Sequence, residues 1–200
     1  MTTDFWNKRY AETKNLFGGS PNPFLVSHKE YFKQGMTALA IGDGEAYNGI
    51  WLAQQGLQVI SVDTSAVAQK KAKANAQKVG VTIKFVCSDI LDYLTMKNGF
   101  DVIVHFFVHL PPPQRQMLHR KMIRALKANG YILFECFHKT QLQHESGGPK
   151  DINMLYDEAE IKKEFSELKI ETLEKYSSDV YEETRGHMLG VSQRFTGLKL

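Results

Sequence analysis

The stretch Ala38-Leu-Ala-Ile-Gly-Asp-Gly-Glu-Ala-Tyr-Asn-Gly49 constrains this chain more than any other. An apolar run stops at a Gly-x-Gly turn made by Gly42 and Gly44, and a helical pattern follows. A second apolar run, Val59-Ile-Ser-Val-Asp63, ends in an acid. Strand, glycine turn, helix and a strand tipped by a carboxylate make one nucleotide-binding half of an α/β sheet. The glycines let backbone approach a ligand that a Cβ would block. A carboxylate at Asp63 can accept hydrogen bonds from both hydroxyls of a ribose. The same acid, followed by Thr64 and Ser65, also reads as a turn that caps the next helix.

The rest of the chain keeps the alternation going. An amphipathic helix near Thr3–Thr13 leads into the loop Phe17-Gly-Gly-Ser-Pro-Asn-Pro23, and Phe24–Phe32 has a helical pattern. Ala38–Ile41, Val59–Val62, Ile83–Cys87, Phe100–Phe107 and Tyr131–Phe137 read as five strands. The run at Phe100–Phe107 is apolar almost throughout, as a strand buried on both faces should be. Helices are expected at Ala46–Gln55, at Ser65–Val79, and at Pro112–Lys127, which prolines begin and Asn129-Gly130 ends. A polar, glycine-bearing loop near Gln141–Asp151 precedes a helix at Asp157–Glu167. Lys169–Lys175 and Val191–Leu200 are two strands without a helix between them, so they should pair antiparallel. One domain spanning residues 1–200 is expected, with 1–35 as an N-terminal cover.

Composition narrows the function classes. Two hundred residues, 42% hydrophobic and 24% charged, suit a globular domain with a sizeable core. The formal charge of +3 is small and mixed along the chain, which argues against a dedicated nucleic-acid binder. The one basic cluster, Gln69–Lys78, reads as the solvated face of a helix. Cys87 and Cys136 sit in or beside apolar strands and read as a reduced, buried pair; no Cys/His spacing suggests a metal site. The N-terminus lacks the apolar core of a signal peptide and no run is long enough to span a membrane. A cytoplasmic, soluble protein, monomeric or homodimeric, is expected.

Five β-α units followed by a terminal hairpin differ from the two mirrored halves of a dinucleotide-binding domain. The chain resembles the class I S-adenosylmethionine-dependent methyltransferases, and within them the tellurite-resistance TehB-like and thiopurine-methyltransferase-like group. Four pieces carry the resemblance. They are Phe5-Trp6-Asn-Lys-Arg9-Tyr10 with Asn22-Pro23-Phe24-Leu25, and Gly42-Asp-Gly44-Glu45 with Asn48 and Trp51-Leu52-Ala53. The third is Asp101–Pro112; the fourth is Gly147–Asp151 with Leu155-Tyr156 and Arg185-Gly186-His187. The resemblance implies a Rossmann-like seven-stranded α/β sheet of order 3-2-1-4-5-7-6, strand seven antiparallel, with helices on both faces. It also implies S-adenosyl-L-methionine as cofactor and a small-molecule acceptor, a thiol or chalcogen oxyanion among the candidates. The chain departs from the group's patterns at Ala40, where many class I enzymes carry an acid, and at Ala46-Tyr47. Asp43 and Glu45 are the expected replacements for that negative charge.

By the same resemblance, Gly42 and Gly44 approach the methionine and sugar, Asp63 binds the ribose, and Asp43, Glu45, Asn48 and Thr64 join them as cofactor-binding residues. Asp89 and Ile90 meet the adenine, although Asp89 also reads as a helix cap. His105 and Phe106 line the methyl-donor region, where ligands bind in open α/β sheets; a core histidine is the rival reading of His105. Trp6 and Tyr10, one helical turn apart, close over the cofactor or simply bury a helix face. His105, His109 and His187 are the candidate catalytic residues, with Glu135 and His138 as further proton acceptors, should the acceptor need a general base. Arg185 suits an anionic acceptor, and the loop Gln141–Lys150 suits a lid. Two other functions fit part of the pattern. A nicotinamide-dependent dehydrogenase would use the same turn and acid, but Tyr47 replaces its third glycine. A non-catalytic adenosine-cofactor sensor or partner-binding module would tolerate the altered turn.

Overall fold

The computed structural model describes residues 2–144 and 146–200. In chain order the elements begin with helix α1 (Thr3–Ala11), helix α2 (Pro23–Ser27), strand β1 (Thr37–Ile41), helix α3 (Tyr47–Gln54) and strand β2 (Gln58–Asp63). Helix α4 (Ala66–Lys78), strand β3 (Lys84–Cys87), the short helix α5 (Ile90–Tyr93), strand β4 (Phe100–Phe106) and helix α6 (Pro112–Ala125) follow. The chain closes with strand β5 (Leu126–Phe137), helix α7 (Glu158–Glu164), strand β6 (Lys169–Glu182) and strand β7 (Gly186–Leu198).

The strands form one seven-stranded sheet of order β3-β2-β1-β4-β5-β7-β6. β1 to β5 are parallel, and β7 enters antiparallel to β5, with Phe134 opposite Phe195. Both sheet faces are covered, and alternate residues of one strand reach opposite sides. Leu39, Ile103, Ile132 and Phe134 pack under α6 and α7 with Leu118, Met122 and Phe165. Ala40, Val104, Phe106 and Leu133 pack on the other side with Leu25, Leu52 and Ala72.

The parallel arrangement puts every strand's carboxyl end, and the loops after it, on one edge. Local chemistry sets the helix starts there. Ser65 caps α4, Asp89 caps α5, and Asp157 with Glu160 forms a capping box on α7. α4 runs as expected, with Lys70, Lys73 and Lys78 exposed, whereas Lys71 turns inward.

Several expectations need correction. The segment Phe24–Phe32 breaks at His28 into α2 and a single 3-10 turn, Lys29–Tyr31. α6 ends at Ala125 and passes straight into β5; Asn129-Gly130 is a bulge within that strand, with Asn129 at φ 60°. The terminal hairpin reaches Glu182 and Gly186, well past the expected ends. Cys136 is buried, but Cys87, on the four-residue edge strand β3, is exposed, so the two are not a buried pair.

Candidate active site

At the end of β1 the backbone takes left-handed φ at Gly42 (57°), Gly44 (55°) and Ala46 (66°). These alternate turns coil the chain over the end of β2, where Gly42 N–H donates to the Val62 carbonyl at 2.8 Å. A Cβ on Gly42 would run into Val108, and one on Gly44 into the Tyr10 hydroxyl. A left-handed residue with a Cβ costs about 1 kcal/mol. The chain meets that cost at Ala46, which caps α3 from this conformation and is fully buried.

Asp63 sits at the centre of the turn. Its Oδ2 accepts from Gly44 N–H at 2.9 Å and its Oδ1 from Ser65 N–H at 2.8 Å. Burial raises its pKa against those two hydrogen bonds. Each carboxylate oxygen can accept more than one bond, so the acid keeps acceptor capacity for a diol. Thr64 beside it shares a hydrogen bond with Thr3 of α1 at 2.7 Å.

Asp43 and Glu45 are both buried and bonded within the protein. Asp43 points inward, accepting from Ser61 Oγ at 2.9 Å and Gly49 N–H at 3.2 Å, and burial pushes its pKa up to about 7. Glu45 binds Lys71 Nζ at 3.1 Å and Leu16 N–H at 2.9 Å. Both acids therefore shape the turn from behind. Asn48 does likewise: its Oδ1 accepts from Asn22 N–H at 2.8 Å and ties the cover to α3.

α1 lies across this turn. Tyr10 is buried against Gly44, and Trp6 is half-buried with its ring centroid 6.1 Å from that of Tyr10. Burial, with the charges of Asp63, Glu45 and Asp43, raises the Tyr10 hydroxyl's pKa well above its ordinary value. Tyr10 and Trp6 thus share one face of α1, Tyr10 as a wall of the turn and Trp6 as its partly open rim. Asp89 is exposed and accepts from Leu91 N–H at 2.7 Å as the cap of α5, while Ile90 packs half-buried against the core beneath.

The candidate bases are dispersed over the core, the strand ends and the terminal hairpin. His105 is fully buried, faces α6, stacks on Phe134 at 4.8 Å and lies 5.7 Å from the His119 ring. Burial holds it neutral, well below the ordinary imidazole range. It is a core residue, because β4 alternates and position 105 falls on the α6 side. Phe106 falls on the other face, buried among Ala40 and Leu133. His187 is exposed on the β6–β7 hairpin and pairs with Asp179. Glu135 is buried and accepts from Ser192 Oγ (2.6 Å), Arg194 Nε (2.9 Å) and Asn22 Nδ2 (2.8 Å). His138 Nδ1 bonds Thr140. Arg185 is exposed beside Glu182. In the loop 141–150, Gln141 holds Ser146, the Gly147 carbonyl and Val191 N–H, so its described residues are pinned rather than free as a lid; Glu145 lies outside the described residues.

His109 has both ring nitrogens engaged. Nδ1–H donates to the Phe107 carbonyl at 2.9 Å and Nε2 accepts from Phe137 N–H at 3.1 Å. The ring staples the loop after β4 to the end of β5, and burial pushes its pKa down to about 4. An unfolded histidine titrates near 6.5, so the unfolded chain binds the extra proton first. The stabilisation is fully present above pH 6.5 and is lost as pH falls toward 4. By pH 5 the loss should be about 2 kcal/mol. His109→Gln keeps one donor and one acceptor without the titration, so its denaturant midpoint should fall less than the wild type's between pH 7 and 5. Parallel pH profiles would remove this role from His109.

Phe107 and Val108 escaped the sequence reading. Phe107 has φ 55°, a strained value that turns the chain across the strand ends and sets Val108 over Gly42. No local signal marks a bulky residue for that conformation. Among the described residues no cluster of three His, Cys, Asp or Glu side chains could hold a metal ion. No helix among them is long and apolar enough to cross a membrane.

Known proteins share this architecture. Residues 38–130 match the family described as a methyltransferase domain. A 2-heptyl-1-hydroxyquinolin-4(1H)-one methyltransferase of Mycobacteroides abscessus is 25% identical over 68% of this chain and 61% of its own length. A carboxy-S-adenosyl-L-methionine synthase of Nautilia profundicola is 30% identical over 40% of this chain and 34% of its own. The chain thus covers less than two thirds of either relative. TehB from Haemophilus influenzae superposes with a TM-score of 0.76 at 16% identity, over 99% of this chain and 67% of that one. A structure concerned with conversion of a disulfide bond into a thioacetal group during echinomycin biosynthesis gives 0.81 at 17% identity, over 99% and 93%. The matched segment, just under half of the chain, holds the glycine turn, Asp63, Asp89 and the β4 loop, and the sheet order over the whole chain is the one expected of the class I methyltransferase fold.

Proposed function

We propose that this protein transfers the methyl group of S-adenosylmethionine to a small acceptor that arrives as a soft anion, such as a thiolate or a reduced chalcogen species. The observation that carries the cofactor half is Asp63, a carboxylate aligned by Gly44 N–H of the glycine turn and left with acceptor capacity for a ribose diol. Thr64, Asp89 and Ile90 lie at the ends of β2 and β3 where the nucleoside belongs. Gly42 and Gly44 hold the turn beside Asp63 in left-handed conformation, with Val108 and Tyr10 packed where their Cβ atoms would sit. The bound cofactor supplies an electrophilic methyl group on a sulfonium. The protein's share is to hold the acceptor in line behind that carbon and to keep water out.

The acceptor half is supported by the state of three of the candidate proton acceptors. His109 has no free ring nitrogen, His105 lies in the core, and Glu135 is taken up by Ser192, Arg194 and Asn22. A soft anion needs no proton removed. The heterocyclic acceptor named for the mycobacterial relative suggests a hydroxylated heteroaromatic as the comparison class.

Calorimetric titration with S-adenosylmethionine, S-adenosylhomocysteine and NAD tests the cofactor. Micromolar binding of the sulfur ligands, a Kd worth about 8 kcal/mol, with none of NAD, is expected. An acceptor screen with thiols, chalcogen oxyanions and hydroxyquinolones then tests the acceptor. NAD binding alone would replace this reading with a dehydrogenase. Turnover confined to the hydroxyquinolones would overturn the soft-anion half only.

A further inference from the structure

The hairpin of β6 and β7 extends far beyond the sheet it joins. β7 pairs with β5 through Ser192–Leu198, whereas β6 and β7 pair with each other out to Glu182 and Gly186. The outer part is a two-stranded ribbon, a structure of marginal stability alone. Its tip rests on the N-terminal cover. The Glu183 carboxylate accepts from Lys14 N–H at 3.0 Å and Asn15 N–H at 2.6 Å, while Glu183 N–H donates to the Leu16 carbonyl at 2.9 Å. Glu182 pairs with Arg9, whose guanidinium lies 5.5 Å from the Trp6 ring centroid, and Tyr181 packs against Gly18.

From the tip these contacts continue inward. Leu16 is fully buried and its N–H is bound by Glu45 of the glycine turn. Lys71 of α4 holds the Thr13 carbonyl at 2.6 Å and also binds Glu45. The cover segment 13–16 is therefore gripped between the ribbon tip on one side and the glycine turn on the other.

We propose that Glu183 is a positioning residue of the cofactor site: it fixes the backbone of Lys14, Asn15 and Leu16, and so keeps the cover closed over bound cofactor. The proposal rests on the reading of that site as an S-adenosylmethionine pocket. A carboxylate that accepts two successive backbone N–H groups makes strong, charge-assisted bonds. Glutamine in its place has one acceptor oxygen and turns an amino group toward the second donor. Glu183 is exposed, so the change should leave the fold intact.

Two measurements on the protein test this, with Asp179→Asn as control on the same ribbon. The first is hydrogen exchange at the Lys14 and Asn15 amides without ligand. The second is the dissociation rate of S-adenosylhomocysteine. In Glu183→Gln the amides should exchange faster, and dissociation should quicken about tenfold while association changes little, as expected when closure rather than encounter is weakened. Asp179→Asn should match the wild type in both. Unchanged exchange, or faster exchange with unchanged dissociation, overturns the proposal. If wild-type protein binds no S-adenosylhomocysteine, the cofactor reading falls and the proposal with it, and the exchange data separate that failure from a failure of the Glu183 contacts.

Discussion

Asp63→Ala is expected to weaken S-adenosylhomocysteine binding by more than tenfold and to lower folding stability by about 3 kcal/mol. The two effects have different sources. The stability loss comes from Gly44 N–H and Ser65 N–H, which both point at the Asp63 carboxylate and lose their acceptor together. A hydrogen bond to a charged group contributes about 1.5–3 kcal/mol, and a buried donor without a partner costs more than the bond was worth. The affinity loss comes from the acceptor oxygens that a ribose diol would use, and from slackening of the glycine turn at Gly44. Asp63→Asn separates them. It preserves shape and one acceptor but not the charge, so it should keep more stability than alanine and still bind weakly. Undiminished affinity in both variants would remove Asp63 from the binding site.

The glycine turn and the acid were legible because each has a local signature that survives packing. Gly42 and Gly44 follow an apolar run, and Asp63 ends another. The strand order was anticipated through the family resemblance, which the alternating strands and helices with a terminal hairpin brought into view. What stayed hidden depended on contacts between distant segments. His105 lies in a run that is buried on both faces, so alternation alone could not say whether its ring met the cofactor edge or α6. His109, Glu135 and Asn48 are polar residues near the expected mouth, and only the fold reveals that backbone N–H groups, Arg194 and Asn22 occupy them. Asn129-Gly130 was ambiguous in principle, since the same pair suits a helix stop and a strand bulge. The outer ribbon of β6 and β7 is polar on much of both faces and gives no periodic signal, although its tip braces the cover. The unreadable part is thus largely a set of braces: polar side chains that hold the loops around the cofactor edge.

The largest stability effect is expected on the opposite face of the sheet. Arg115 of α6 is 2% exposed and Glu164 of α7 is 7% exposed. Glu164 Oε1 accepts from Arg115 Nη2 at 2.7 Å and Nε at 3.1 Å, and Oε2 accepts from His119 Nδ1 at 2.6 Å. Glu160, more exposed, adds a weaker contact at 3.3 Å. The Asn153 and Leu155 carbonyls take further Arg115 hydrogen bonds, so the guanidinium fastens the chain before α7 onto α6. Arg115 and His119 hold the Glu164 carboxyl below its usual range although burial opposes them, so at neutral pH it is ionised. Removing one partner of such a pair strands a buried charge, at a cost of about 3–5 kcal/mol. Glu164→Ala should therefore lose that much in denaturant unfolding at pH 7. Arg115→Leu combined with Glu164→Leu should cost far less than the two single changes added together, because neither charge is then left alone. A loss under about 1 kcal/mol in Glu164→Ala, or strict additivity in the double variant, would mean that Glu160 and the two carbonyls suffice to satisfy Arg115. Glu164 lies on the α7 side of the sheet, so its removal should lower the midpoint of unfolding and leave the cofactor affinity of the folded fraction within about twofold. Asp63→Ala should move both.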